Sequence, residues 1–161
     1  MKKRHHALII ADVEGIVDIY DLNDIKRCTE LYTKEIQVYI ETLLCSGVRK
    51  ITICDVHNEG NLISPAICEM GKDYDVQVKL VSKVDGLSFQ EDYDFAFLVG
   101  FHGMERSPGI LSHTLRFDFK SAHIVNQISG MEIPVGEVEI YTRWLGSHGI
   151  PVALEGVPTN E

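Results

Sequence analysis

Apolar positions along this chain follow two different periods. Residues 7–13 are an apolar, β-branched run, the pattern of a strand buried on both faces. Over residues 29–46 the period becomes helical: Tyr32, Ile36, Tyr39, Ile40, Leu43 and Leu44 recur on one face, and Gly47 stands where a helix stops. A second β-rich run covers 50–54. A polar loop follows, with a short helix near 65–70. Residues 76–81 alternate as a third strand, and 95–99 are wholly apolar as a fourth. Residues 100–120 show no sustained period and are rich in Gly, Ser, Pro and His, as functional loops often are. Short strands are expected at 122–126 and 131–134, paired through Ser129-Gly130. A helix over 136–148 carries Val138, Tyr141, Trp144 and Leu145, and a last strand covers 151–154.

Strands alternating with helices predict one α/β domain over residues 1–161. Its sheet should be doubly wound and mostly parallel, with helices on both faces. No internal repeat, linker or low-complexity segment is visible. The chain of 161 residues carries a net charge of −9, which argues against a nucleic-acid partner or an anionic membrane surface. The apolar run near the N-terminus is too short for a signal-peptide core, and no stretch approaches membrane-spanning length. Cys28, Cys45, Cys54 and Cys68 show no CxxC pairing and are expected as buried, reduced thiols. A cytoplasmic protein fits these features.

In such a sheet, ligands bind beyond the carboxyl ends of the strands. Asp12-Val13-Glu14-Gly15 follows the first strand, Asp55-Val56-His57 the second and Gly100-Phe101-His102-Gly103 the fourth. Asp12 and Glu14 are two apart, so an extended segment projects both to one side. Carboxylates that close repel unless a cation or a proton separates them. A lone strand-end Asp more often caps a turn, and a lone loop His is more often solvated or hydrogen-bonded. Acid and imidazole converging from three strands shift the balance toward a metal. The mixed set suits zinc, and also manganese, cobalt or iron, and a carboxylate between two cations can bridge them. Asp55 reads as a loop anchor. His5, His6, His123 and His148 have no strand-end placement and read as structural or solvent-facing. No GxGxxG opens a helix after the first strand, which argues against a dinucleotide site, and there is no P-loop and no GxSxG elbow; no organic-cofactor residues are assigned.

Five motifs in order resemble those of the zinc-dependent D-aminopeptidases of the DppA type. They are Asp12-Val13-Glu14-Gly15-Ile16, Asp55-Val56-His57, Gly100-Phe101-His102, Ser107-Pro108-Gly109-Ile110-Leu111-Ser112-His113 and Val135-Gly136-Glu137. Residues 17–28 match poorly. Where the family has a Gly-Asp-Asp stretch, this chain has Glu155-Gly156-Val157-Pro158, and the family's chains are longer. The resemblance implies two divalent ions per chain, zinc first among them, with Asp12 bridging. Glu14 and His102 would serve one ion, and His57 and Glu137 the other. It implies His113 as the catalytic histidine, a short peptide substrate with an N-terminal D-residue of the D-Ala type, and a homo-oligomer. The alternatives are another two-metal hydrolase, an amidase or phosphoesterase, and a non-catalytic metal-binding relative.

Overall fold

The computed structural model describes residues 5–57, 60–84, 87, 92–108, 111–114, 116–117, 120–121, 125–128 and 131–155. Five strands form one parallel sheet: β1 (His6–Ala11), β2 (Lys50–Asp55), β3 (Gln77–Ser82), β4 (Phe95–Val99) and β9 (Val152–Glu155). Their spatial order is β3-β2-β1-β4-β9. Strand order therefore reverses between β1 and β4, the place where doubly wound sheets open a crevice at their carboxyl edge.

β1 is buried along its whole length because both of its faces are covered. Ala7, Ile9 and Ala11 point into a core shared with the long helix α1 (Ile25–Cys45), through Cys28, Tyr32, Ile36, Ile40, Leu43 and Leu44. Leu8 and Ile10 point into a second core with Leu145 of helix α2 (Glu137–Ser147). Alternate residues of an apolar strand thus feed opposite layers, which is why its sequence shows no polar face.

α1 begins four residues before the helical period becomes visible. Asp24 caps it, its carboxylate accepting from the Arg27 backbone N–H at 3.2 Å. The short helix expected near 65–70 is a 3-10 helix, Pro65–Tyr74, ending on Asp75 in the left-handed conformation (φ 53°). It packs Ile67 into the α1 core.

Between β4 and α2 the chain forms two antiparallel pairs. β5 (Arg116–Phe117) pairs with β6 (Lys120–Ser121), and β7 (Val125–Ile128) pairs with β8 (Met131–Pro134). The second pair is the anticipated hairpin, shifted by a few residues, and Ser129-Gly130 and His123 lie outside the described residues. The first pair was not anticipated, because two-residue strands carry no period to read.

Of the four cysteines, Cys28 and Cys54 are buried, Cys68 is half-buried, and Cys45 is exposed, contrary to expectation. Its position on the solvent side of the last turn of α1 explains the difference. His5 and His148 are exposed, whereas His6 is buried and shares a 2.9 Å hydrogen bond with Thr52. Among the described residues no helix is long and apolar enough to cross a membrane.

Candidate metal centre

The carboxyl end of β1 is tied to the carboxyl end of β4. Asp12 N–H donates to the Val99 carbonyl at 2.9 Å, and Gly15 N–H donates to that of Gly100 at 2.7 Å. Two glycines permit this approach. A Cβ on Gly15 would fall 2.0 Å from the Phe101 carbonyl oxygen, and one on Gly100 (φ 71°) would fall 2.1 Å from that of Asp12. The lock holds Asp12, Glu14 and His102 over one crevice.

His57 reaches the same crevice from the other side of β1, at the end of β2. Its loop is organised by Asp55, which is fully buried. Asp55 Oδ1 accepts from the Tyr32 hydroxyl and the His57 backbone N–H, both at 3.2 Å. Its Oδ2 accepts from the N–H groups of Leu62 (2.9 Å) and Ile63 (3.1 Å). Asp55 is thus the loop anchor that its position suggested. Burial pushes its pKa up, against the lowering effect of those hydrogen bonds.

Asp12 lies between the two histidines. Its Oδ1 is 3.3 Å from His57 Nδ1, and its Oδ2 is 3.5 Å from His102 Nε2. Each imidazole meets a second carboxylate: His57 Nδ1 donates to Glu14 Oε2 at 2.9 Å, and His102 Nε2 lies 3.6 Å from Glu137 Oε1. Glu137 is the first residue of α2, where a carboxylate suits the positive end of the helix. Asp12, Glu14, His102 and Glu137 are all buried.

Ligand-competent atoms of Asp12, Glu14 and His57 lie within 4.8 Å of one another, and so do those of Asp12, His102 and Glu137. The expected division put Glu14 with His102 and His57 with Glu137; the two groups around Asp12 instead join Glu14 to His57 and His102 to Glu137, while Glu14 meets His102 in a group with His113. No group among the described residues holds both His57 and Glu137. Strand order supplies the reason. β2 and β4 flank β1 on opposite sides, so their terminal histidines approach Asp12 from opposite sides, and α2 packs on the β4 side.

Three buried carboxylates in contact are costly unless positive charge compensates them. Burial raises the pKa of Asp12 well above its usual value, opposed by its hydrogen bond to His57 and reinforced by Glu14 and Glu137. Burial acts on Glu14 in the same sense, but hydrogen bonds with His57 and Asp12 and the nearby imidazoles prevail and lower it to about 2. Burial opposes charge on His57, yet Asp12 and Glu14 lift it to about 10. The imidazolium supplies one compensating charge.

His102 shows what the other half lacks. Its Nδ1–H donates to the Gly103 carbonyl at 2.9 Å, which turns Nε2 toward Asp12 and Glu137. Nε2 is buried and has no hydrogen-bond partner among the described residues. A backbone carbonyl fixing one ring nitrogen while the other faces carboxylates is the usual support of a metal-bound histidine. The residues fit divalent ions.

His113 stacks on His102, with ring centroids 3.9 Å apart and planes within 9°. Its backbone N–H donates to the Gly103 carbonyl (3.1 Å) and its Nδ1–H to that of Leu111 (2.7 Å). Leu111 adopts a left-handed conformation (φ 58°), rare for a non-glycine residue. Nε2 of His113 is left 3.9 Å from Glu14 Oε1 and 4.0 Å from Glu137 Oε1. The structure thus brings together all six residues singled out in the sequence. The carbonyls of Gly103 and Leu111 and the Tyr32 hydroxyl, which aim or support them, left no trace at the level of residue type.

The sequence profile of the D-aminopeptidases matches residues 6–156. This chain belongs to the D-aminopeptidase family. A family relative, the D-aminopeptidase of Bacillus subtilis (strain 168), is 26% identical over 151 residues, which are 89% of this chain and 52% of that protein. A solved structure, the Zn-dependent D-aminopeptidase DppA from Bacillus subtilis, a self-compartmentalizing protease, shares the fold with a TM-score of 0.69 at 23% identity. The match covers 91% of this chain and 54% of that one. The chain therefore spans about half the length of these D-aminopeptidases.

Proposed function

We propose that this chain is a metal-dependent aminopeptidase that releases an N-terminal D-amino acid, of the D-Ala type, from short peptides. The observation that carries the reading is Asp12: one buried carboxylate faces a different histidine with each oxygen, and each histidine has a second carboxylate beside it. Two divalent ions, zinc in the first place, would be held by Asp12, Glu14 and His57 and by Asp12, His102 and Glu137. When bound they supply Lewis acidity, activating a water nucleophile near neutral pH and offsetting charge on the developing oxyanion.

The chain's own residues do the rest. The Gly103 and Leu111 carbonyls set the tautomers of His102 and His113, so both Nε2 lone pairs face the crevice. His113 takes a proton from the attacking water at Nε2 and returns it to the leaving amine. The carboxylates that line the crevice favour a substrate with a free, protonated amino group. The relative described as self-compartmentalizing supports a homo-oligomer here too. We extend the same reading to a cytoplasmic location.

The test is a substrate panel for zinc-loaded protein: D-Ala-D-Ala, L-Ala-L-Ala and p-nitrophenyl phosphate. Turnover of the D-peptide above the other two is expected. Phosphate-ester turnover, or none at all, would remove the peptidase assignment.

A further inference from the structure

Beyond the two groups that share Asp12, a third exists. Ligand-competent atoms of Glu14, His102 and His113 also lie within 4.8 Å of one another. His113 enters this group ready to bind. Its Nδ1 is committed to the Leu111 carbonyl, so Nε2 carries the lone pair, and the stack on His102 fixes the ring plane. Two carboxylate oxygens stand near that lone pair, Glu14 Oε1 at 3.9 Å and Glu137 Oε1 at 4.0 Å. Such juxtaposition of a lone pair with anionic oxygens is unfavourable until a proton or a cation enters between them.

His102 cannot serve two groups at once. Its Nδ1 is held by the Gly103 carbonyl, and its single available nitrogen already faces Asp12 and Glu137. Glu14 is likewise committed to the His57 side through Oε2, which leaves Oε1 for His113. An ion in the third group therefore relies on His113 Nε2 and Glu14 Oε1 and borrows the rest. Cations already seated nearby also repel it. Both effects make this position weaker than the other two.

We propose that Glu14 Oε1 and His113 Nε2, beside the already committed His102, form a further, lower-affinity cation position, and that an ion held there through His113 Nε2 switches turnover off. The ion takes the lone pair that proton transfer needs. Imidazole as the principal ligand selects zinc and its transition-metal neighbours over magnesium. The inference rests on the two-ion reading above and adds to it a device by which excess metal silences the site.

The experiment is equilibrium dialysis of the full chain, first metal-replete, then against rising zinc, with elemental analysis and peptide turnover measured on the same samples. The parent chain should gain one further ion, and turnover should fall in proportion to its occupancy. Magnesium at equal concentration should do neither. His113→Ala and His113→Gln should both keep the tight ions and lose the extra one, the second variant guarding against misfolding of the first. A further ion bound equally by both variants, turnover that stays flat while it binds, or no further ion at all would overturn the proposal. Fewer than two tightly held ions before zinc is raised would instead overturn the two-ion reading itself.

Discussion

Asp12 and His113 stand 101 positions apart in the chain and differ in what their side chains can lose. Asp12 faces both histidines, so its removal should empty the crevice of cations. His113 Nε2 faces the carboxylates of Glu14 and Glu137, and its ring is held by the Leu111 carbonyl and the stack on His102. His113→Ala should therefore keep its tightly held ions and thermal midpoint and lose ~10²–10⁴-fold in kcat, the usual contribution of a positioned proton-transfer group. Loss of a tightly held ion from that variant would make His113 a ligand. His57 gives a pH test. In the metal-free chain its raised pKa means that the folded state keeps a proton which the unfolded state gives up near 6.5. The stability from this pair is full below about pH 6.5 and is lost as pH rises through about 10. A ligand must shed that proton, so zinc uptake at pH 8 should release protons, and affinity should climb with pH. Zinc titration in weakly buffered solution with a pH indicator reads this directly, and uptake without proton release would exclude His57 as a ligand.

At the scale of elements, the site is the meeting of three strand ends and one helix start. The strand ends were legible in the sequence: apolar runs marked β1, β2 and β4, and the residues just past each run were acid or histidine. Glu137 and His113 were not legible in that way. One opens a helix and the other sits in a loop without period, so only the order of motifs shared with the D-aminopeptidases brought them in. How these ligands would divide between two ions depends on strand order, which periodicity does not report. Asp55 was read correctly, and its four hydrogen bonds make the β2 loop depend on it. Asp55→Ala would strand the buried Tyr32 hydroxyl and three backbone N–H groups. It should cost about 3 kcal/mol of stability or more. Urea unfolding of the metal-free protein measures that cost, and a change within about 0.5 kcal/mol, typical of surface substitutions, would deny Asp55 its anchoring role.

At the scale of the whole molecule, the stretch from the end of β1 to the first residue of α1 leaves Val17 (71% exposed), Tyr20 (61%) and Ile25 (57%) in the open. Exposed apolar side chains close together along the chain favour association. A homo-oligomer is expected by light scattering, and Val17→Glu with Ile25→Glu should shift it toward monomer. A monomeric parent at every concentration would refute the assembly. The family relationship and the parallel sheet place the crevice, but the function turns on whether its buried acids and imidazoles hold a pair of ions around one carboxylate. Elemental analysis of metal-replete protein, parent and Asp12→Ala side by side, decides that most directly. The shared carboxylate requires about two transition-metal ions per parent chain and the loss of most of both in the variant. One ion or none in the parent, or a variant that keeps its full complement, would contradict it.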